Sequence, residues 1–308
     1  MANAPRFVHI VDDVPELGEL RAHDSGPVLV YALSGFLDAG NATRIAVDHL
    51  LSQGNSRVVA SFDIDAFYDY RARRPALTFA EHAYRDYDTP RLLVRLCHDR
   101  HETPFLLLHG PEPDTHWEAF ASDFRAVVEK LGVRLSVALG AVPMAVPHTR
   151  PIMLTNHATD PSLLVQENVW RGEIRIPASA ASVLELRLGE WGQHAMGFVA
   201  HVPHYVANLD YPEASLRLLE SVGAVAGLEW ELASLRLLAD SASQAIAAQV
   251  ADSEEVREVV LGLEQQYDAF RTDEETLPLA HERELPTAEE IGAEFERFLA
   301  GLDTPEEQ

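Results

Sequence analysis

An α/β fold, with a mixed and mostly parallel sheet followed by a C-terminal all-helical appendage, is predicted from three features of this 308-residue chain. Between about residues 5 and 225, short aliphatic or β-branched runs alternate with amphipathic segments, the alternation that builds parallel sheets with helical crossovers. One run, Val28 to Leu33, passes through the turn Ser34-Gly35-Phe36-Leu37-Asp38-Ala39-Gly40 straight into helical periodicity. After about residue 226 the strand pattern stops and only helical spacing remains.

In order, strands are expected over residues 28–33, 57–64, 92–98, 105–109, 133–139, 152–156 and 195–201. The helix after the first turn sets Ala42, Ile45, Ala46, His49 and Leu50 on one face, so His49 reads as a packed core histidine. The link Asp99 to Pro104 is short and polar, which predicts a hairpin and makes the sheet mixed. An amphipathic helix is expected from near Asp114 to Gly132. Beyond it, Leu228, Leu232, Leu235, Leu238, Ile246 and Val250 keep helical spacing; Asp252 and Glu255 form a capping box ahead of Val256, Val260, Leu263, Tyr267 and Phe270. A third helix is expected from Pro286, with Ile291, Phe295, Phe298 and Leu299 on one side. The expected organisation is a core domain over 1–225, an acidic helical appendage over 226–301 and a disordered tail over 302–308.

Composition narrows the function classes. A 47% hydrophobic content supports a sizeable core, yet no apolar run nears the roughly 18 residues of a membrane helix. With no hydrophobic stretch near Met1, a cytoplasmic protein is expected. Cys97, the only cysteine, lies in a strand-like run and reads as a buried structural thiol. The net charge of −25 argues against nucleic acid and anionic membranes as partners, because both are bound by neutralising phosphate with Lys and Arg. From Leu228 onward there are 21 acidic and 5 basic residues, so the appendage carries −16 of that charge. Lys130 is the single lysine, which removes phosphate-loop, kinase and paired-lysine nucleotide chemistry.

The turn from Gly35 to Gly40 has the spacing at which a phosphate loop begins, but Asn41 and Ala42 stand where its Lys and Ser or Thr belong. Asp38 sits at the mouth of the following helix, where its carboxylate competes with any phosphate for the same free N–H groups. Two further loops follow predicted strands: Gly140 to Pro151, containing His148-Thr149-Arg150, and His201 to Ser215, containing His204-Tyr205. Ligands of parallel sheets collect at the carboxyl ends of strands, so the candidate cleft is Gly35, Asp38, Gly40, His148, Thr149, Arg150, His204 and Tyr205. In it, His148, Thr149 and Arg150 would take an anion or carboxylate and His204 with Tyr205 would do acid–base work. Asp38 is expected to cap its helix or to pair with Arg150. The alternative for all three loops is structural, with prolines stiffening connections. The dense group His98, Asp99, His101, Glu102, His109, Glu112, Asp114 and His116 lacks a short ligand pair on one helix face, and no metal or cofactor is expected. No Gly-x-Ser-x-Gly elbow is present, and no residue is assigned as catalytic.

Five stretches together resemble the PAC2 family of proteins similar to proteasome assembly chaperones, in its longer actinobacterial branch. They are Gly35-Phe36-Leu37-Asp38-Ala39-Gly40; Leu108-His109-Gly110-Pro111-Glu112-Pro113-Asp114; Pro143-Met144 with Val146 to Pro151; Val202-Pro203-His204-Tyr205 with Tyr211-Pro212; and Leu263-Glu264-Gln265-Gln266-Tyr267-Asp268. The resemblance implies a three-layer core similar to nucleoside phosphorylases and related hydrolases, the helical appendage, and self-association, with a trimer expected. It also implies proteasome subunits as partners, although the end Leu302 to Gln308 lacks the hydrophobic-Tyr-any motif through which such factors dock. A self-associating protein without established catalysis is expected, the alternative being a small-molecule binder or a hydrolase- or phosphorylase-like enzyme using the cleft.

Overall fold

The computed structural model describes residues 5–18, 26–35, 37–54, 56–164 and 173–273; the expected third helix from Pro286 and the tail lie outside them. The chain divides into two units, Met1–Tyr267 and Asp268–Gln308.

Eight strands form one sheet. They are β1 (Val8–Ile10), β2 (Val28–Ser34), β3 (Arg57–Phe62), β6 (Leu92–His98), β7 (Pro104–Pro111), β8 (Leu135–Met144), β9 (Leu154–Ala158) and β10 (Ala195–Pro203), in the order β1-β3-β6-β7-β2-β8-β10-β9. The pairs β7–β2, β2–β8 and β8–β10 are parallel and the four outer pairs antiparallel. The hairpin expected around Asp99 joins β6 to β7 and produces part of this mixture. A separate two-stranded arm, β4 (Thr78–Ala80) with β5 (Ala83–Arg85), lies between β3 and β6 in sequence.

The central strands are buried on both faces, and their alternation divides the core. In β2, Val28, Val30 and Ala32 join one apolar cluster while Leu29 and Tyr31 join the other. The first cluster is closed by α1 (Ala42–Ser52), α5 (Pro212–Ala226) and α6 (Ala233–Asp252), through residues such as Ala46, Leu218 and Leu235. The second is closed by α3 (Trp117–Leu131) and α4 (Ala180–Glu190), through Phe120, Phe124, Leu184 and Leu188. Helix, sheet and helix therefore make three layers. The short α2 (Ile64–Phe67) begins just after β3 stops at Phe62, and α7 (Glu254–Asp273) follows α6.

Candidate functional site

β2, β8 and β10 are parallel neighbours, so their carboxyl ends share one margin of the sheet. The three loops read from the sequence leave from that margin, and each of the eight candidate residues can be followed to its contacts.

Asp38 is a helix cap. Its two oxygens accept the backbone N–H groups of Thr43 and Arg44 at 2.7 and 3.0 Å, satisfying donors that the first turn of α1 leaves open. Gly40 adopts φ +68, and a Cβ there would lie 2.7 Å from Cβ of Tyr211. The close approach is stitched by backbone: Gly40 N–H donates to Ala207 C=O at 2.7 Å, and Tyr211 N–H donates to Gly40 C=O at 2.8 Å. Asn41 Nδ2 and an Arg44 guanidinium nitrogen both donate to Asp210 Oδ1 at 2.7 Å. The first turn and the loop after β10 are thus one unit.

Gly35 belongs to a different neighbourhood. A Cβ there would lie 2.9 Å from Cβ of Glu112, whose carboxylate accepts the Ala180 N–H at 2.6 Å and so caps α4. Arg73 holds this corner, donating to Glu112 C=O at 2.6 Å and to Asp114 Oδ2 at 2.7 Å, with its guanidinium 4.6 Å from the Tyr68 ring centre.

His148 and Tyr205 meet. The Tyr205 oxygen lies 2.7 Å from both the backbone N and Nδ1 of His148, so the hydroxyl accepts the amide N–H and shares a second hydrogen bond with the ring. Burial lowers the His148 pKa, and burial first, then the Glu264 charge, raises that of Tyr205, so both stay neutral near pH 7. His204 stacks edge-on against Tyr205, 5.4 Å between ring centres, and is itself exposed.

Thr149 and Arg150 turn to α7. The Thr149 hydroxyl donates to Glu264 Oε1, and Arg150 reaches the same oxygen at 3.3 Å. Tyr267, one turn later, donates its hydroxyl to Pro151 C=O at 2.8 Å. Arg150 therefore faces Glu264, and Asp38 faces its own helix. Sequence reading missed Glu264 and Tyr267 as partners of this loop, although both lie in one of the five quoted stretches.

The histidine- and acid-rich stretch disperses. Asp99 accepts the amides of His101, Thr103 and Glu229; His109 packs on Arg95; His116 contacts the Ala66 carbonyl. Among the described residues no three His, Cys, Asp or Glu side chains gather as a metal-binding group. Cys97 is buried and its thiol is pushed up to about 11 by that burial. A cavity of about 30 Å³, room for a water or two, lies near the opposite margin, lined by Leu50, His98 and Trp230 among others. No helix among the described residues is long and apolar enough to cross a membrane.

The model of the PAC2 family matches residues 32–250. A Mycobacterium tuberculosis protein of unknown function, Rv2714, is 43% identical with a TM-score of 0.82, the match covering 89% of this chain and 92% of that one. A Corynebacterium glutamicum protein of unknown function is 35% identical with a TM-score of 0.79, covering 85% and 97%. The Mycobacterium tuberculosis proteasome-assembly chaperone homologue Rv2125 is 31% identical with a TM-score of 0.70, covering 76% and 99%. No curated protein matches this chain.

Proposed function

We propose, from the premise that this chain belongs to the PAC2 family, that it is a self-associating cytoplasmic protein of the proteasome-assembly-chaperone type, acting through protein contacts. One observation carries the reading. The β4–β5 arm presents Phe79 and Tyr84 as a cross-strand pair, ring centres 5.1 Å apart, at 61% and 73% exposure. Residues 81–89 are exposed without interruption, and an isolated two-stranded ribbon is marginal in water, so the arm favours a protein surface to lie against. Apart from the exposed His204, the polar side chains of the candidate cleft are, by contrast, engaged with one another and with α1 and α7.

Sedimentation of the full chain tests this: a closed oligomer, a trimer first, is expected at micromolar concentration, and Phe79→Ser with Tyr84→Ser shifts it toward a monomer that still unfolds in one cooperative transition. A monomeric unaltered chain sinks the reading.

A second reading, binding of a small molecule, is favoured by the neutral His148–Tyr205 pair beside exposed His204, with Leu37, Met144 and Leu209 exposed on the same three loops. A thermal-shift screen of nucleosides, phosphates and carboxylates decides it, since a ligand that binds only the folded state raises the melting temperature. A shift that His148→Ala removes supports binding; an unmoved melting temperature throughout removes it.

A further inference from the structure

We infer that the β4–β5 arm of one copy docks on the outward face of α7 of the next copy, head to tail, so that three such contacts close the trimer. The inference rests on the self-association reading and supplies the surface that receives the arm.

The two surfaces are opposite in charge. Residues 71–91, which contain the arm, carry five arginines against three acids, a local +2 on a chain of −25. Arg71, Arg74, Arg85 and Arg91 are exposed, as are Phe79 and Tyr84. Residues 254–266 of α7 carry four acids against one arginine.

α7 has two distinct sides. Val260, Leu263 and Tyr267 are buried, and Tyr267 is bonded to the loop after β8. On the other side Glu258 and Gly262 stand one turn apart, flanked by Val259 and Leu261 at 50% and 54% exposure. Among the described residues nothing lies within 4 Å of where a Cβ on Gly262 would sit. Glycine weakens a helix interior, and no close approach within the copy calls for it here. The bare step it leaves lets an aromatic ring lie against the helix backbone, with Glu254, Glu255 and Glu258 on the same side to meet the arginines of the arm. Leu186 on α4 and Leu237 on α6 are also exposed, but they adjoin Arg187 and Arg236.

Because the arm and α7 are different patches, a contact between them is heterologous, and heterologous contacts close into rings such as a trimer. The arm leaves the sheet between β3 and β6, whereas α7 is fastened to the loop after β8, with β7 and β2 between them in the strand order. Both patches are exposed in a single copy, which leaves each to be covered by a neighbour.

The full chain with Val259→Gln and Gly262→Gln tests the surface, because glutamine favours a helix and fills the step. Sedimentation should show a monomer with native circular dichroism at concentrations where the unaltered chain is trimeric. Mixed one to one with the Phe79→Ser, Tyr84→Ser chain, it should form a heterodimer that grows no further, since one intact arm and one intact α7 face remain in the pair. Arg74→Glu with Arg85→Glu should weaken association roughly tenfold, and adding Glu255→Arg with Glu258→Arg to the same chain should restore it. An α7 variant that stays trimeric, a mixture that yields only monomers, or charge reversals that do not rescue one another overturn the assignment to α7 and leave self-association standing. A monomeric unaltered chain removes both and leaves the arm to a foreign protein.

Discussion

Asp38 shows how much chemistry one residue settles. The carboxylate fills the helix mouth that a phosphate would have used, and this was legible because a short acid directly before an amphipathic segment has a local task. Asp38→Ala should cost about 1 kcal/mol of stability, within the ~0.5–2 kcal/mol span of lost caps, read as a lower denaturation midpoint. Glu213 offers a contrast that no local pattern announces. It accepts from the Tyr211 hydroxyl at 3.1 Å, and burial first, then the charge of Asp240, raises its pKa. A carboxyl with a raised folded pKa favours the folded state at low pH, and that contribution is lost as pH rises through the folded value. Glu213→Gln should therefore stabilise the protein at pH 8 and change little at pH 4, as measured by urea unfolding at both. Equal effects at the two pH values would contradict the assignment.

At the level of elements, the central strands were readable because burial on both faces leaves continuous aliphatic runs such as those of β2 and β7. What escaped were pieces whose reason for forming lies elsewhere in the chain. β1 is three residues long and is held against β3, while Asp123 on α3 accepts the Arg6 and Phe7 amides just before it. α4 has weak amphipathic contrast and depends on a Ser179–Ser182 capping box together with Glu112. The seating of α7 on the loop after β8 joins Thr149 to Glu264 and Pro151 to Tyr267, contacts that no spacing within a motif encodes. Tyr267→Phe removes one buried hydroxyl donor and should cost about 1 kcal/mol. Hydrogen exchange should then quicken in residues 145–151 while the amides of β8 stay protected; unchanged exchange in that loop would show that α7 does not restrain it.

For the whole molecule, charge is the dominant long-range term. A chain of −25 repels itself, and because most ion pairs among the described residues lie at the surface, added salt screens more repulsion than attraction. The melting temperature should rise between roughly 0.05 and 0.5 M sodium chloride, conditions that shorten the screening length from about 14 Å to about 4 Å. A falling melting temperature would mean that the surface pairs outweigh net repulsion.

The strand order also governs the birth of the protein. β2 finds its neighbours far along the chain, Leu29 lying beside Leu106 of β7 and Ser136 of β8, while β10, which completes the parallel centre, ends only at Pro203. Non-local parallel pairing is slow to form, and a strand apolar on both sides cannot be sheltered by its first helix alone. On the ribosome, therefore, β2 and α1 emerge long before the partners that hide them. A nascent chain stopped before β8 should aggregate or recruit a trigger-factor-type holdase, whereas one released beyond α5 should not.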